Sequence, residues 1–145
     1  MSQEHTAGVY HLILRLPEAR ALRIGRLGRF TFPAGCYVYT GSAMNGLERR
    51  LHRHRRHCKR LWWHIDHLLR AAELEGTVVI PTRRKIECGC NRQVLALPGA
   101  EVIAPGFGSS DCRCRTHLVY FAQRPESLGA RMALPLLTAR RCPQA

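Results

Sequence analysis

Residues 9–15 read Val9-Tyr10-His11-Leu12-Ile13-Leu14-Arg15, a run dominated by apolar, β-branched and aromatic side chains. Such side chains fit a pleated, buried surface, so the run predicts a largely buried strand. A second run, Cys36-Tyr37-Val38-Tyr39, predicts another strand that pairs with the first or lies near it. Between the two, residues 21–32 alternate apolar and basic side chains around Gly25 and Gly28, which indicates a short hairpin or an edge excursion.

Helical spacing begins after the glycine-bearing turn at residues 41–46. One face of the predicted helix is marked by residues that recur every three or four positions, namely Leu47, Leu51, His54 and Cys58. The further predicted elements are a helix from about His64 to Gly76, a strand at 77–80, a helix from Glu87 to about Leu97 and a candidate last strand at 117–121. Together these elements predict an α+β domain with a mainly antiparallel, three-stranded central sheet flanked by helices. We expect this domain to span residues 1–124 and residues 125–145 to form a tail that is loosely packed or disordered.

The composition describes one small, strongly basic domain. The chain has 145 residues, of which 23 are Lys or Arg and 10 are Asp or Glu, so its formal net charge is +13. No apolar run reaches the roughly 18 residues that a membrane span needs, and the first residues lack the features of a secretory signal, so we expect a cytoplasmic protein with no membrane partner. The excess positive charge attracts polyanions, which makes nucleic acid the first partner to consider and a basic protein without such a partner the alternative.

Two phenols and an arginine are candidates for phosphate chemistry. Tyr10 and Tyr39 lie on neighbouring predicted strands, and the next helix is rich in arginine. A phenol can orient or deprotonate a water when nearby cations lower its pKa, and an arginine fork can hold a phosphate by two parallel hydrogen bonds. The same pattern is also typical of half-buried aromatic residues in a sheet, so the residues alone leave both interpretations open.

The order and spacing of three short motifs resemble those of the GIY-YIG nuclease superfamily, in particular its small stand-alone Uri-type members. The motifs are Gly8-Val9-Tyr10, Tyr39-Thr40-Gly41 and Leu47-Glu48-Arg49-Arg50. The stretches Trp63-His64-Ile65-Asp66 and 106–114 look like the Uri-type subgroup, and the resemblance runs from Gly8 to about Phe121.

The resemblance implies a metal-dependent endonuclease that hydrolyses DNA phosphodiester bonds with one Mg²⁺ or Mn²⁺ ion. It implies Arg50, rather than Arg49, as the arginine that braces the phosphate and Glu87 as the ligand of the metal. Tyr10 and Tyr39 share the remaining work: one orients or deprotonates the water and the other bonds the phosphate or the water shell of the metal. His54, four residues after Arg50, is a further catalytic candidate, and a hydrogen-bonded core histidine is the alternative.

Relatives often carry an asparagine after the glutamate, at a place that falls near Pro98 in this chain. We expect Asn91 or Ser109 to replace it, unless the site is built differently.

A second group of residues predicts a zinc site. Zinc favours four tetrahedral thiolate or imidazole ligands, and Cys112, Cys114 and His117 with Cys88 or Cys90 could supply them. Because the chain has seven cysteines, an odd number, and we expect a reducing compartment, a disulfide framework is not expected. Cys88 is the preferred fourth ligand, small buried thiols are the alternative, and the role of zinc would be structural.

A third group of residues predicts contact with DNA. Its members lie on or just after the arginine-rich helix, namely Arg49, Arg53, Arg56, Lys59, Arg60 and Trp62. Basic side chains can neutralise phosphates, and Trp62 can stack on an unpaired base. The alternative function is a nucleic-acid-binding module on the same scaffold, with zinc as a stabiliser, that carries out no chemistry.

Overall fold

The structure is a computed structural model that describes residues 7–56 and 58–129. Its elements are β1 (Gly8–Leu16), β2 (Arg20–Ile24), β3 (Gly28–Phe32), β4 (Gly35–Ala43), α1 (Leu47–Arg55), α2 (His64–Leu69), β5 (Glu73–Pro81), α3 (Glu87–Leu95), β6 (Leu118–Phe121) and α4 (Glu126–Gly129), with a single 3-10 turn at Gly25–Leu27. The predicted α+β class is confirmed. No helix within the described residues is long and apolar enough to cross a membrane.

The central sheet has the strand order β5-β1-β4-β6, and every pairing in it is antiparallel. β1 lies between β4 and β5, which explains why a run of mostly apolar side chains is buried along nearly its whole length. The predicted strand pair is confirmed, in a register that places Gly8 opposite Ala43 and Leu16 opposite Gly35. The predicted hairpin is confirmed as well, because β2 and β3 form a separate two-stranded sheet.

Two apolar cores cover the two faces of the sheet, because side chains alternate along each strand. One core contains Tyr10 and Leu12 of β1 with Leu47 and Leu51 of α1. The other contains Ile13 of β1 with residues of α3, β6 and α4, and its members include Val94, Phe121 and Leu128. Helices therefore flank the sheet on both faces. Residues 130–145 of the predicted tail lie outside the described residues, while Leu128 at its start is buried.

Three details differ from the predicted elements. The central sheet has four strands rather than three, because the candidate strand near 117–121 pairs with β4. The second helix ends at Leu69 and does not continue to Gly76, because Glu73 and Leu74 pair with β1 as the beginning of β5. α1 ends at Arg55, so Cys58 lies beyond it.

β4 extends beyond its partner β6, and this difference in length positions the candidate site. β6 pairs only with residues Cys36 to Tyr39 of β4. At the next residue, the Thr40 N–H donates to the carbonyl of His117, in the loop that precedes β6, at 3.0 Å. The Arg50 side chain of α1 donates to the carbonyl of Ser42 at 3.1 Å. The end of β4 therefore lies between that loop and α1.

Candidate active site and metal-binding cluster

A cleft of about 470 Å³ opens beside the end of β4. Its lining includes four of the five predicted catalytic residues, namely Tyr10, Tyr39, Arg50 and Glu87. These residues come from β1, β4, α1 and α3. The fifth, His54, is buried next to the cleft, where it contacts Tyr10. Four separate elements thus bring the predicted residues together.

The glycines of the two strand motifs are required by close packing. Gly41 lies directly opposite Tyr10, and a Cβ atom at position 41 would be 2.6 Å from the Tyr10 Oη atom. A Cβ atom at Gly8 would be 2.7 Å from the carbonyl oxygen of Ile80. Any larger residue at position 41 would push the Tyr10 ring out of its place beside the cleft.

Tyr10 and His54 form a buried pair. The Tyr10 hydroxyl lies 2.8 Å from the Nε2 atom of His54, and both side chains are almost fully buried. Burial lowers the pKa of His54 to about 3, helped by the nearby charge of Lys59, so the imidazole is neutral at neutral pH. The Nδ1 atom of His54 has no hydrogen-bond partner among the described residues. His54 is therefore both a buried core histidine and a direct partner of a predicted catalytic phenol.

The two phenols lie close together and are neutral in the free protein. Their ring centroids are 6.5 Å apart. Burial raises the pKa of Tyr10 to about 12, and the charge of Arg50 acts in the opposite direction. Burial, together with the neighbouring Tyr10, raises the pKa of Tyr39 well above its usual value. Neither phenol is ionised at neutral pH in the free protein.

Arg50 is held in the cleft by two contacts. Its Nη1 atom donates to the Ser42 carbonyl at 3.1 Å, and its guanidinium lies 4.6 Å from the centre of the Trp63 ring. A guanidinium over an aromatic face is held in place by the ring quadrupole. Arg49, the neighbouring alternative, is exposed and does not line the cleft. Of these two neighbouring arginines, Arg50 is therefore the one that lines the cleft.

Glu87 begins α3, and both of its carboxylate oxygens accept hydrogen bonds. The Ser42 hydroxyl donates to Oε1, and the Nδ1 atom of His117 lies 2.9 Å from Oε2. Burial acts to raise the pKa of Glu87, but the hydrogen bonds from His117 and Ser42 outweigh it, so the pKa lies below its usual value. Glu87 is therefore an anion at neutral pH.

Four metal-ligating side chains meet beside Glu87. They are those of Cys88, Cys112, Cys114 and His117, and their ligand atoms all lie within 4.8 Å of one another. This Cys3His cluster could hold a metal ion. The fourth member of the cluster is Cys88 rather than Cys90, which is buried but lies outside the cluster. Burial and the neighbouring thiols Cys114 and Cys112 raise the pKa of Cys88.

His117 connects the cluster to Glu87, which the sequence did not predict. Its Nε2 atom lies 3.4 Å from the Cys112 sulfur and 3.9 Å from the Cys88 sulfur. Its Nδ1 atom lies 3.0 Å from the Thr40 carbonyl oxygen and 2.9 Å from Glu87 Oε2. The spacing of Cys112, Cys114 and His117 predicted His117 as a member of the metal cluster. The contacts of its Nδ1 atom were not predictable, because they involve β4 and α3, which are distant from His117 in the chain.

The predicted DNA-contacting residues divide into two groups. Arg49, Arg56, Arg60 and Trp62 are exposed, and the exposed fraction of Trp62 is 67%. By contrast, Arg53 forms two hydrogen bonds to the Asp66 carboxylate at 2.9 and 3.0 Å. Lys59 donates to the carbonyls of Arg53 and His54 at the end of α1. Arg53 and Lys59 thus have structural contacts beside any contact with DNA.

Asp66 is an organising residue whose full role the sequence did not predict. Its carboxylate accepts the Arg53 fork and, at 2.9 Å each, the backbone N–H groups of Trp62 and Trp63. The side chain is fully buried. A carboxylate three residues after a cap position is a recognisable signal for a helix start, but not for the partnership with Arg53.

The two expected replacements for the missing asparagine do not line the cleft. The amide of Asn91 donates to the Thr116 carbonyl at 2.8 Å and so holds α3 to the loop before β6. The Ser109 hydroxyl is buried and has no partner among the described residues.

Comparison with known proteins identifies a family. No curated protein and no solved structure shows a significant match to the chain. The model of a family described as a domain of unknown function, DUF123, matches residues 9–134, which is most of the chain and includes every residue of the cleft and of the Cys3His cluster. The chain therefore belongs to the DUF123 family.

Proposed function

We propose that the protein is a metal-dependent endonuclease of the GIY-YIG type that hydrolyses DNA phosphodiester bonds. The observation that carries the proposal is the convergence of two phenols, a guanidinium and a carboxylate on one cleft. Hydrolysis of a phosphodiester requires an oriented water, positive charge for the developing anion and help for the departing oxygen. The cleft contains a group suited to each of these tasks.

The donors around Glu87 fit a hard cation. They are carboxylate and hydroxyl oxygens from Glu87, Ser42 and the two phenols, and Mg²⁺ or Mn²⁺ prefers oxygen ligands while keeping several of its waters. Held by Glu87, such an ion would supply positive charge to the phosphate and to the departing oxygen. Because Glu87 is ionised at neutral pH, it is ready to bind a cation without first losing a proton.

Arg50 would bind the scissile phosphate. Its guanidinium is already fixed by Ser42 and Trp63, so little side-chain freedom is lost when the phosphate arrives. The fork can donate two hydrogen bonds to phosphate oxygens, and its charge opposes the negative charge that grows during attack.

Tyr10 would orient the attacking water, and His54 would receive the proton. As the water oxygen bonds to phosphorus and the ester bond between phosphorus and the departing oxygen breaks, a water proton moves to Tyr10 Oη and the Tyr10 proton moves to His54 Nε2, 2.8 Å away. The departing oxygen leaves as an alkoxide and takes a proton from solvent. The neutral imidazole can accept this proton, and the negative charge of a bound phosphate raises its pKa in the cleft. Tyr39 would then bond the phosphate or the water shell of the cation.

The exposed basic side chains and Trp62 would hold the nucleic acid beside the cleft. Trp62 lines the cleft, and Arg49, Arg56 and Arg60 belong to the same region of the chain. The net charge of +13 favours a polyanionic partner. DNA is the substrate that we propose.

We propose zinc as the metal of the Cys3His cluster. Three thiolates and one imidazole are a donor set that zinc favours, in the fully protein-bound arrangement typical of structural sites. The four ligand atoms already lie within 4.8 Å of one another, so Cys88, Cys112, Cys114 and His117 would together hold the ion. Zinc would tie α3 to the loop that contains Cys112 and Cys114.

Cleavage of a panel of DNA substrates, with duplex, single-stranded and branched forms and an RNA form for comparison, tests the nuclease. We expect nicking that requires Mg²⁺ or Mn²⁺ and that is lost in Glu87→Gln and in Arg50→Ala. The matched controls are Glu101→Gln and Arg23→Ala, which remove the same charges from exposed positions outside the cleft and should cut like the wild type.

Wild-type cleavage by either cleft variant would reject the site. Salt-dependent binding of nucleic acid without cleavage by any divalent ion would favour the second function, a binding module on the same scaffold. The exposed Trp62 and the basic side chains support that alternative equally well.

A further inference from the structure

We propose that His117 couples the Cys3His centre to Glu87, so that metal in the cluster fixes the carboxylate in the cleft. This inference rests on the zinc site and the role of Glu87 proposed above. It makes His117 a positioning residue for the reaction, since it acts through Glu87 and does not line the cleft.

The position of one proton follows from the contacts of the His117 ring. The Nδ1 atom faces two oxygen acceptors, the Thr40 carbonyl at 3.0 Å and Glu87 Oε2 at 2.9 Å. An acceptor oxygen can be satisfied only by a donor, so Nδ1 carries a proton. In the neutral ring the lone pair then lies on Nε2, the atom that faces the sulfur atoms of Cys112 and Cys88. For the neutral ring, the hydrogen bond from Nδ1 to Glu87 therefore selects the tautomer that a metal ion in the cluster needs.

With a metal ion in the cluster, His117 and Glu87 would form the metal–imidazole–carboxylate arrangement that supports many zinc ligands. A carboxylate that accepts from the far nitrogen of a ligating histidine fixes its tautomer and raises its basicity. Here that carboxylate is Glu87, whose own oxygens face the cleft group Ser42 on one side and His117 on the other. Each carboxylate oxygen uses one of its two lone pairs in these hydrogen bonds, so one lone pair on each oxygen remains available to a cation.

Chain connectivity strengthens the coupling. Cys88 is the residue next to Glu87 on α3, so a metal bound by Cys88 restrains the same helical turn that carries the carboxylate. The His117 carbonyl accepts from Thr40, which places the ring against β4. Metal in the cluster would thus restrain Glu87 both through the backbone and through a side-chain hydrogen bond.

The coupling predicts that Glu87 contributes to zinc affinity although it is not a zinc ligand. Zinc affinity is measured by competition with a chelator on the full chain, for the wild type, Glu87→Ala, Glu87→Gln and the exposed control Glu101→Gln. Loss of such a carboxylate weakens metal binding about 10–100-fold, so we expect that effect in Glu87→Ala. Glu87→Gln keeps an acceptor for Nδ1 and should weaken zinc less, and Glu101→Gln should bind like the wild type.

The reverse measurement uses Mn²⁺ as the probe of the cleft, detected by electron paramagnetic resonance. Coupling free energies are reciprocal, so zinc removal should weaken Mn²⁺ binding by the same factor by which Mn²⁺ strengthens zinc binding. The zinc-loaded wild type is compared with Cys114→Ser, whose fold is checked by circular dichroism. If Cys114→Ser fails to fold, the zinc affinities of the Glu87 variants still decide whether the cluster and Glu87 are coupled, because those variants keep all four cluster residues.

The outcomes separate the coupling from the nuclease. Fewer than one zinc per chain, or equal zinc affinity in Glu87→Ala and the wild type, overturns the coupling even if the protein cleaves DNA. Weakened zinc binding in Glu87→Ala supports the coupling even if no DNA is cleaved, in which case only the nuclease is rejected.

Discussion

Gly41 shows how one residue without a side chain determines the geometry of the cleft. Its missing Cβ atom leaves the space that the Tyr10 hydroxyl occupies, across the strand pair from it. Without that space the hydroxyl could not lie 2.8 Å from His54 Nε2. The glycine of the Tyr39-Thr40-Gly41 motif therefore acts through packing, and it makes the contact between Tyr10 and α1 sterically allowed.

Removal of the Tyr10 hydroxyl separates catalysis from stability. Within residues 7–56 and 58–129, Tyr10→Phe leaves both nitrogens of the buried His54 without a partner, so we expect a loss of about 1–3 kcal/mol of stability and the loss of cleavage. Tyr120→Phe is the matched control, since its hydroxyl donates to the Ala34 carbonyl at 2.7 Å away from the cleft. The control should lose stability and retain cleavage. Equal cleavage by both variants in a DNA assay at a temperature well below unfolding would contradict the role of Tyr10.

Buried histidines predict how stability depends on pH. Burial lowers the pKa of His54 to about 3 and that of His11 to about 4, whereas both are near 6.5 in the unfolded chain. Between about pH 6.5 and 5 the unfolded chain therefore binds more protons, and stability falls as the pH is lowered, by up to about 1.4 kcal/mol per pH unit for each histidine.

Urea unfolding at pH 6.5, 6 and 5 measures this slope, below the range in which the raised pKa of His117 makes the native state hold an extra proton. The window lies above the range in which Asp66 and Glu87 take up protons, because the pKa values of both carboxyls are below their usual values. His11→Gln removes one of the two titrating groups at a position outside the cleft and should give a shallower slope. A slope that is unchanged in His11→Gln would show that His11 becomes protonated at its usual pKa in the native state.

At the scale of elements, the order of strands and helices was predictable and the junction of α2 with β5 was not. The alternation and bulk of residues in β1, β4 and the β2–β3 hairpin are local signals, and the structure confirms them. The stretch Ala71-Ala72-Glu73-Leu74 has good local helix propensity, but pairing of Glu73 and Leu74 with β1 decides the outcome. Tertiary pairing overrides a weak local preference, and a single sequence does not reveal the partner strand.

The candidate site also contains residues that the sequence predicts and contacts that it does not predict. Tyr10, Tyr39 and Arg50 belong to motifs with a fixed order and spacing, and the resemblance that these motifs carry added Glu87, so the four residues could be grouped before the fold was known. The contacts of His117 with Glu87 and of Asp66 with Arg53 join elements that lie apart in the chain. No periodicity in the sequence encodes such contacts.

Asp66 lies at the junction of α1 with α2, and its contacts there predict that loss of its charge lowers the stability of the protein strongly. Asp66→Asn removes the charge that binds the Arg53 fork, and it leaves fewer acceptors for the N–H groups of Trp62 and Trp63. We expect a loss of about 2–3 kcal/mol, moderated because the Arg53 side chain is 18% exposed.

The matched comparison is Glu75→Gln, whose carboxylate lies 3.8 Å from Arg124 in a partly exposed pair. That variant should lose at most about 1 kcal/mol. Urea unfolding of both variants at pH 7 measures the two losses of stability. Equal losses would show that the buried contacts of Asp66 stabilise the protein no more than the partly exposed ion pair of Glu75.

At the scale of the whole molecule, the charge of +13 predicts a strong dependence of nucleic-acid binding on salt. Each exposed arginine that contacts a phosphate should lower the slope of log K against log salt by about 0.9 for duplex DNA when it is replaced by alanine. Arg49→Ala, Arg56→Ala and Arg60→Ala are the test variants, and Arg29→Ala on β3 is the exposed control. Fluorescence anisotropy between 50 and 200 mM salt measures the slopes, and a slope unchanged in all three would contradict contact with DNA on this surface.

The end of β4 also bears on how the protein unfolds. Tyr10 and Arg50 reach the cleft from the face that packs α1, whereas Glu87 is carried by α3, which packs on the opposite face. The cleft is therefore complete only when both cores are formed around the same strand. A partly unfolded state that has lost either layer would lack part of the proposed cation site, so binding of Mn²⁺ would report on the cooperativity of the entire domain.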